Sequence, residues 1–121
     1  MALSDQDVGA LKCSFTAALD DDPKVLVATG QRLLYGWMVQ GTNAAVGYVQ
    51  VFDAAAIADV TLGTTVPDLV ITTESNAIGA GSALSLYKPI KFAKGIVIAS
   101  TTTATGSTGV TNDTIVNLFY A

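Results

Sequence analysis

Two runs of alternating side chains constrain this chain more than any other feature. Residues 32–40 (RLLYGWMVQ) put Leu33, Tyr35, Trp37 and Val39 on one side of an extended strand, and Leu34, Gly36, Met38 and Gln40 on the other. Residues 45–53 (AVGYVQVFD) repeat the pattern, with Val46, Tyr48, Gln50 and Phe52 opposite Gly47, Val49, Val51 and Asp53. A period of two held this long is a strand signal. The intervening Gly41-Thr42-Asn43-Ala44 predicts a hairpin joining the two runs. The Ala-rich segment 54–58 that follows is too short for a stable helix and reads as one turn or an irregular crossover. A Gly-Thr-Thr-Val-Pro turn then ends at Pro67.

The same signature continues on both sides. Residues 13–19 are strand-like, with Phe15 and Ala17 opposite Ser14 and Thr16, and 24–29 form the next strand. Further strands are predicted over 68–73, 82–87 with an extended continuation over 88–92, 95–100, and 114–120. The unbroken apolar run 95–100 predicts a strand buried on both faces. Asp20-Asp21-Asp22-Pro23 is a turn, 76–81 is a loop, and the Thr/Gly/Ser-rich stretch 101–112 is a long loop suited to an interface. About eight strands and no amphipathic helix give an all-β fold. The expected architecture is a two-sheet antiparallel sandwich, jelly-roll-like, with an extended N-terminal arm. An alternating βα fold is excluded for want of helices. The expected division is an arm over 1–12 and a β-sandwich domain over 13–121. In the arm, Ser4 with Asp7 starts a helical turn that nothing sustains. Either the arm is untied, or it pairs with a neighbouring subunit.

Composition then limits what such a sandwich does. Only 13% of the 121 residues are charged, and 50% are hydrophobic. The usual charged share is about 25%. A chain of this length buries a core without disulfides. Its apolar excess must still be covered, by a membrane or by assembly. A membrane helix needs roughly 20 apolar residues in a row, and none of the runs here approaches that. The acidic N-terminus does not resemble a signal peptide. Assembly is the better account. The net charge of −4 disfavours contact with nucleic-acid phosphates. Lys88, Lys91 and Lys94, the one basic cluster, read as solvated lysines that protect a strand edge.

Side chains that carry chemistry are scarce. There is no histidine, and the single cysteine, Cys13, reads as a small buried hydrophobe. The carboxylates fall in turns: Asp20 to Asp22, Asp53, Asp59, Glu74 and Asp113. The Asp triplet lacks the spacing of a calcium loop, and Gly79-Ala80-Gly81 lacks the third glycine and helix of a phosphate cradle. No nucleophile elbow is present. The expectation is a protein that is not an enzyme, with no cofactor and no metal. Tyr35, Trp37 and Tyr48 could stack on a sugar, but Leu33 and Val39 beside them favour a core or subunit contact.

Four stretches carry a family resemblance. They are LLYGWMVQGTNAAVGYVQVFDA, ADVTLGTTVPDLVI, FAKGIVIASTTTATGSTG and the terminal NLFYA. Together they resemble small β-sandwich proteins of tailed bacteriophages, the capsid decoration (cement) and related virion-associated proteins. The resemblance spans residues 32–120 and marks strands and turns rather than catalytic positions. It implies a structural virion protein on the capsid exterior, assembled in the host cytoplasm. The implied partners are the major capsid protein and further copies of the chain, a trimer being favoured at three-fold axes; no nucleic acid and no membrane are implied. The candidate interface residues are Leu3, Val8 and Leu11 in the arm, Tyr35, Trp37, Met38 and Tyr48 in the strands, and Thr103 and Thr105 in the Thr-rich loop. The alternative is a tail-associated or receptor-binding module that recognises glycans through that loop or through an exposed Trp37.

Overall fold

A computed structural model describes residues 11–41, 47–73, 81–110 and 114–121. Eight strands carry the fold: β1 (Lys12–Leu19), β2 (Val25–Thr29), β3 (Arg32–Gly41), β4 (Tyr48–Asp53), β5 (Leu69–Thr72), β6 (Gly81–Phe92), β7 (Gly95–Thr101) and β8 (Thr114–Tyr120). The Ala-rich segment holds only a 3-10 turn, Ile57–Asp59. The strands form two four-stranded antiparallel sheets, β1-β8-β3-β6 and β2-β7-β4-β5, packed as a sandwich. The pairing is nested: β1 with β8, β2 with β7, β3 with β6, and β4 with β5. The chain changes sheet at every connection except β4 to β5.

The expected hairpin between the two alternating runs does not form. β3 lies between β8 and β6, while β4 lies between β7 and β5 in the opposite sheet. Both strands are strongly apolar on one side. Stacking them puts Leu34, Trp37 and Val39 in one core with Val49 and Val51. Side-by-side pairing would have left each of those sides in need of a separate cover. Residues 42–46, where the turn was expected, lie outside the described residues.

The strict alternation of β3 also fails. Leu34 pairs with Tyr120 and Gly36 with Phe119, so β3 holds one more residue than β8 at this point. Such a β-bulge reverses the sides that follow it. Leu34, Trp37 and Val39 are buried, whereas Leu33 and Tyr35 are half-buried and Met38 is exposed. The predicted Leu33–Tyr35–Trp37–Val39 face is therefore split at Tyr35. β3 also lies close against β6 at this point, where Gly36 pairs with Ser85. A Cβ at Gly36 would lie 2.5 Å from the Leu84 carbonyl oxygen, so only glycine fits without a backbone shift.

Two apolar clusters result. The larger fills the space between the sheets, with Leu19, Leu34, Phe92, Ile96, Ile98 and Leu118 among its members. The smaller lies outside the β2-β7-β4-β5 sheet. There Phe52, Ala54, Val60 and Val97 pack with Leu62. Between them, β7 is buried at every position, as the unbroken apolar run predicts. β6 is an edge strand, which tolerates Pro89 and carries the exposed Lys88 and Lys91.

Candidate functional site

The outward face of the β1-β8-β3-β6 sheet is the most unusual surface of the molecule. Register fixes who sits on it. One row runs Phe15, Asn117, Met38, Ala83. The row beside it runs Cys13, Phe119, Gly36, Ser85, and a third adds Ile115 and Gln40. None of these positions carries a charge. Phe15 is 64% exposed and Met38 53% exposed. Large apolar groups standing in water on neighbouring positions are the kind of patch that interaction surfaces carry.

The face is not flat. An open groove of about 440 Å³ is lined by Leu11, Tyr35, Met38, Leu84, Leu86 and Phe119, with Gly36 in its wall. A shallower depression of about 290 Å³ lies beside it, between Met38, Gln40, Ala83, Ile115 and Asn117. Met38 and Ala83 border both. The lack of a side chain at Gly36, which the close Leu84 carbonyl of β6 demands, also helps to open the groove.

Bulges decide which apolar residues reach this face. Phe15 and Leu19 would share a side in a regular strand. The register of β1 against β8 shifts between Thr16 and Leu19, so Leu19 enters the core while Phe15 stays outside. Cys13 is exposed, not buried as its type suggests. It stands on the outer face of an edge strand, with its Sγ 3.9 Å from Asn117 Oδ1. Period two shows that Phe15 and Cys13 share a side, but it does not reveal that this side is the outer one.

The interface candidates are scattered by the fold. Leu11, Tyr35 and Met38 gather at the groove. Trp37 borders it but is 7% exposed and belongs to the core. Tyr48 is half-buried in the opposite sheet, paired with Thr72 and Thr101. Thr103 and Thr105 are exposed on the Thr-rich loop and line neither the groove nor the depression. Leu3 and Val8 lie outside the described residues. The Thr-rich loop is itself anchored. The buried Gln50 amide donates to Thr101 Oγ1 at 2.7 Å and to the Gly106 carbonyl at 3.0 Å. Thr101 Oγ1 in turn donates to the Thr103 carbonyl at 2.7 Å.

The acids do structural work. Asp20, expected in a solvated turn, is half-buried, and its Oδ1 accepts the Val110 N–H at 2.8 Å, tying the first turn to the Thr-rich loop. Asp53 accepts the N–H groups of Ala93 at 3.0 Å and Lys94 at 2.7 Å, closing the turn between β6 and β7. Burial pulls its carboxyl pKa upward. The backbone donors and the Lys94 charge outweigh that and hold it below 3.8. Among the described residues, no three His, Cys, Asp or Glu side chains gather as metal ligands, and no helix is long and apolar enough to cross a membrane.

No known protein family, curated protein or solved structure matches this chain. What the molecule defines by itself is an eight-stranded antiparallel sandwich in which, among the described residues, one sheet face is exposed and uncharged along its rows through Phe15 and Cys13.

Proposed function

We propose that this chain is a structural component of a phage particle: a capsid decoration, or cement, protein. It adds to the outside of the head as a homo-oligomer, contacts the major capsid protein and stabilises the shell. The observation that carries this reading is the uncharged outer face around Phe15 and Met38. Covering apolar area releases roughly 25 cal/mol per Å². A face that rewards covering suits a protein that works only when assembled. The resemblance of residues 32–120 to phage decoration proteins supports the same reading. The nested strand pairing supports it too, because the proposed jelly-roll, an architecture common in capsid domains, pairs its strands in a nested order.

The tail-associated, glycan-binding alternative has less support. Trp37, the aromatic ring it would use, packs in the core and offers no stacking surface. Its remaining support is the exposed Thr103 and Thr105.

The test is add-back to shells. Capsids lacking this protein are heated with and without it, and the temperature at which they rupture is recorded. Binding with a rise in rupture temperature is the expected result. Failure to bind mature shells overturns the proposal.

A further inference from the structure

We propose that the outer face of the β1-β8-β3-β6 sheet is covered by the same face of a second copy, the two related by a two-fold axis. This rests on the reading of the chain as an assembling structural protein, and it names the partner that covers the face.

Charge argues first. The rows through Phe15 and through Cys13 carry no Lys, Arg, Asp or Glu. Along the same face only Lys91, opposite Leu33 at one end, supplies a cation among the described residues, and one lysine is too little to hold a polyanion or an anionic membrane. A charged partner would lose hydration without gaining a counter-charge. An identical face, uncharged along these rows, carries neither penalty there. Residues 1–10 are a poorer cover, because they bring Asp5 and Asp7 and no Lys or Arg.

Shape argues next. A two-fold interface must be self-complementary, each patch carrying both the projection and the recess. This face has both. Phe15 and Met38 project, and the groove and the depression lie beside Met38. On pairing, the projections of one copy enter the recesses of the other. Sheets stacked face to face sit about 10 Å apart, a spacing filled by side chains of this size.

Area argues last. Four strands at about 4.8 Å spacing and six or so residues at about 3.3 Å give a face roughly 20 Å by 20 Å. Side-chain relief adds to that plan area on both copies. The total approaches the roughly 1,000 Å² at which specific interfaces begin. The expected pair is weak to moderate, dissociating on dilution.

Light scattering of the full chain over a range of concentrations tests this. A mass of two chains is expected, falling to one on dilution. Phe15→Glu and Met38→Glu, each checked for intact strand content and cooperative unfolding, should weaken pairing at least tenfold. Tyr87→Glu alters a residue that is 96% exposed but outside these rows, and should leave pairing unchanged. A single-chain mass at all concentrations overturns the inference. So does a three-chain mass, a pair indifferent to both glutamates, or a pair lost only when residues 1–10 are deleted. Shell binding by the same samples separates the two claims. Shell binding by a single-chain wild type breaks the two-fold pair alone, and a pair that ignores shells breaks the decoration role alone.

Discussion

The two sheets of this sandwich share one core but differ on their outer faces. Outside β2-β7-β4-β5, the chain builds its own roof. Val60 and Leu62 cover Phe52 and Val97, and the Thr-rich loop closes over Gln50. Outside β1-β8-β3-β6, none of the described segments plays that part, and Phe15 and Met38 stand in water. The same chain thus roofs the Phe52–Val97 part of one outer face and, among the described residues, leaves the other exposed. Its low charge content makes the difference sharper, because an ordinary solvent-facing sheet alternates apolar with polar or charged residues. The roofed sheet is finished by folding. On our proposal, the other sheet is finished by association.

The largest effect should come from breaking the roofed side. Gly95 has φ +150°, and a Cβ there would lie 2.6 Å from the carbonyl oxygens of both Ala28 and Ala54. Gly95→Val should destabilise the fold by about 3 kcal/mol or more, measured by urea unfolding. Next is Gln50→Leu, which strips the donor from Thr101 Oγ1 and the Gly106 carbonyl. A loss of about 1–3 kcal/mol is expected, with faster hydrogen exchange confined to the Thr-rich loop. Uniform acceleration across β7 would show that the loop is not a separate roof.

A smaller effect concerns acid. Asp53 has a folded-state pKa below its ordinary value of 3.8. Its contribution is therefore fully present above the unfolded value and is lost as pH falls from there through the folded value. Melting temperature followed from pH 7 downward should begin to lose this contribution near pH 3.8, and Asp53→Asn should flatten that part of the curve. The smallest effect on folding belongs to the bare side. In the dissociated chain, Phe15→Glu and Met38→Glu should each change unfolding free energy by no more than about 0.5 kcal/mol. A larger loss would mean that the bare face is held by contacts within the chain.

The same contrast explains what could be seen in the sequence. The strands announced themselves because alternation and the run 95–100 are local patterns, and β7 is buried throughout as that run implies. Partner choice is not local. β3 and β4 looked like a hairpin because a Gly/Asn segment joins them, yet each is a central strand of its own sheet. Period two sorts side chains into two sides without saying which one meets the core. The bulges at Tyr35 and between Thr16 and Leu19 then reverse the sorting within a strand. That is why Tyr35 and Trp37 part company, and why Cys13 and Phe15 surface on the candidate site without a signal in their own segment.

Cys13 provides the most direct measurement. It is the only cysteine, it is exposed, and it shares the bare face with Asn117 and Phe15. Its rate of alkylation by a maleimide reports whether that face is covered. The rate should be high in dilute protein and fall markedly at concentrations where copies associate, while Phe15→Glu keeps it high throughout. A rate that is equally high in dilute, concentrated and shell-bound protein would contradict the claim that this face is completed by association.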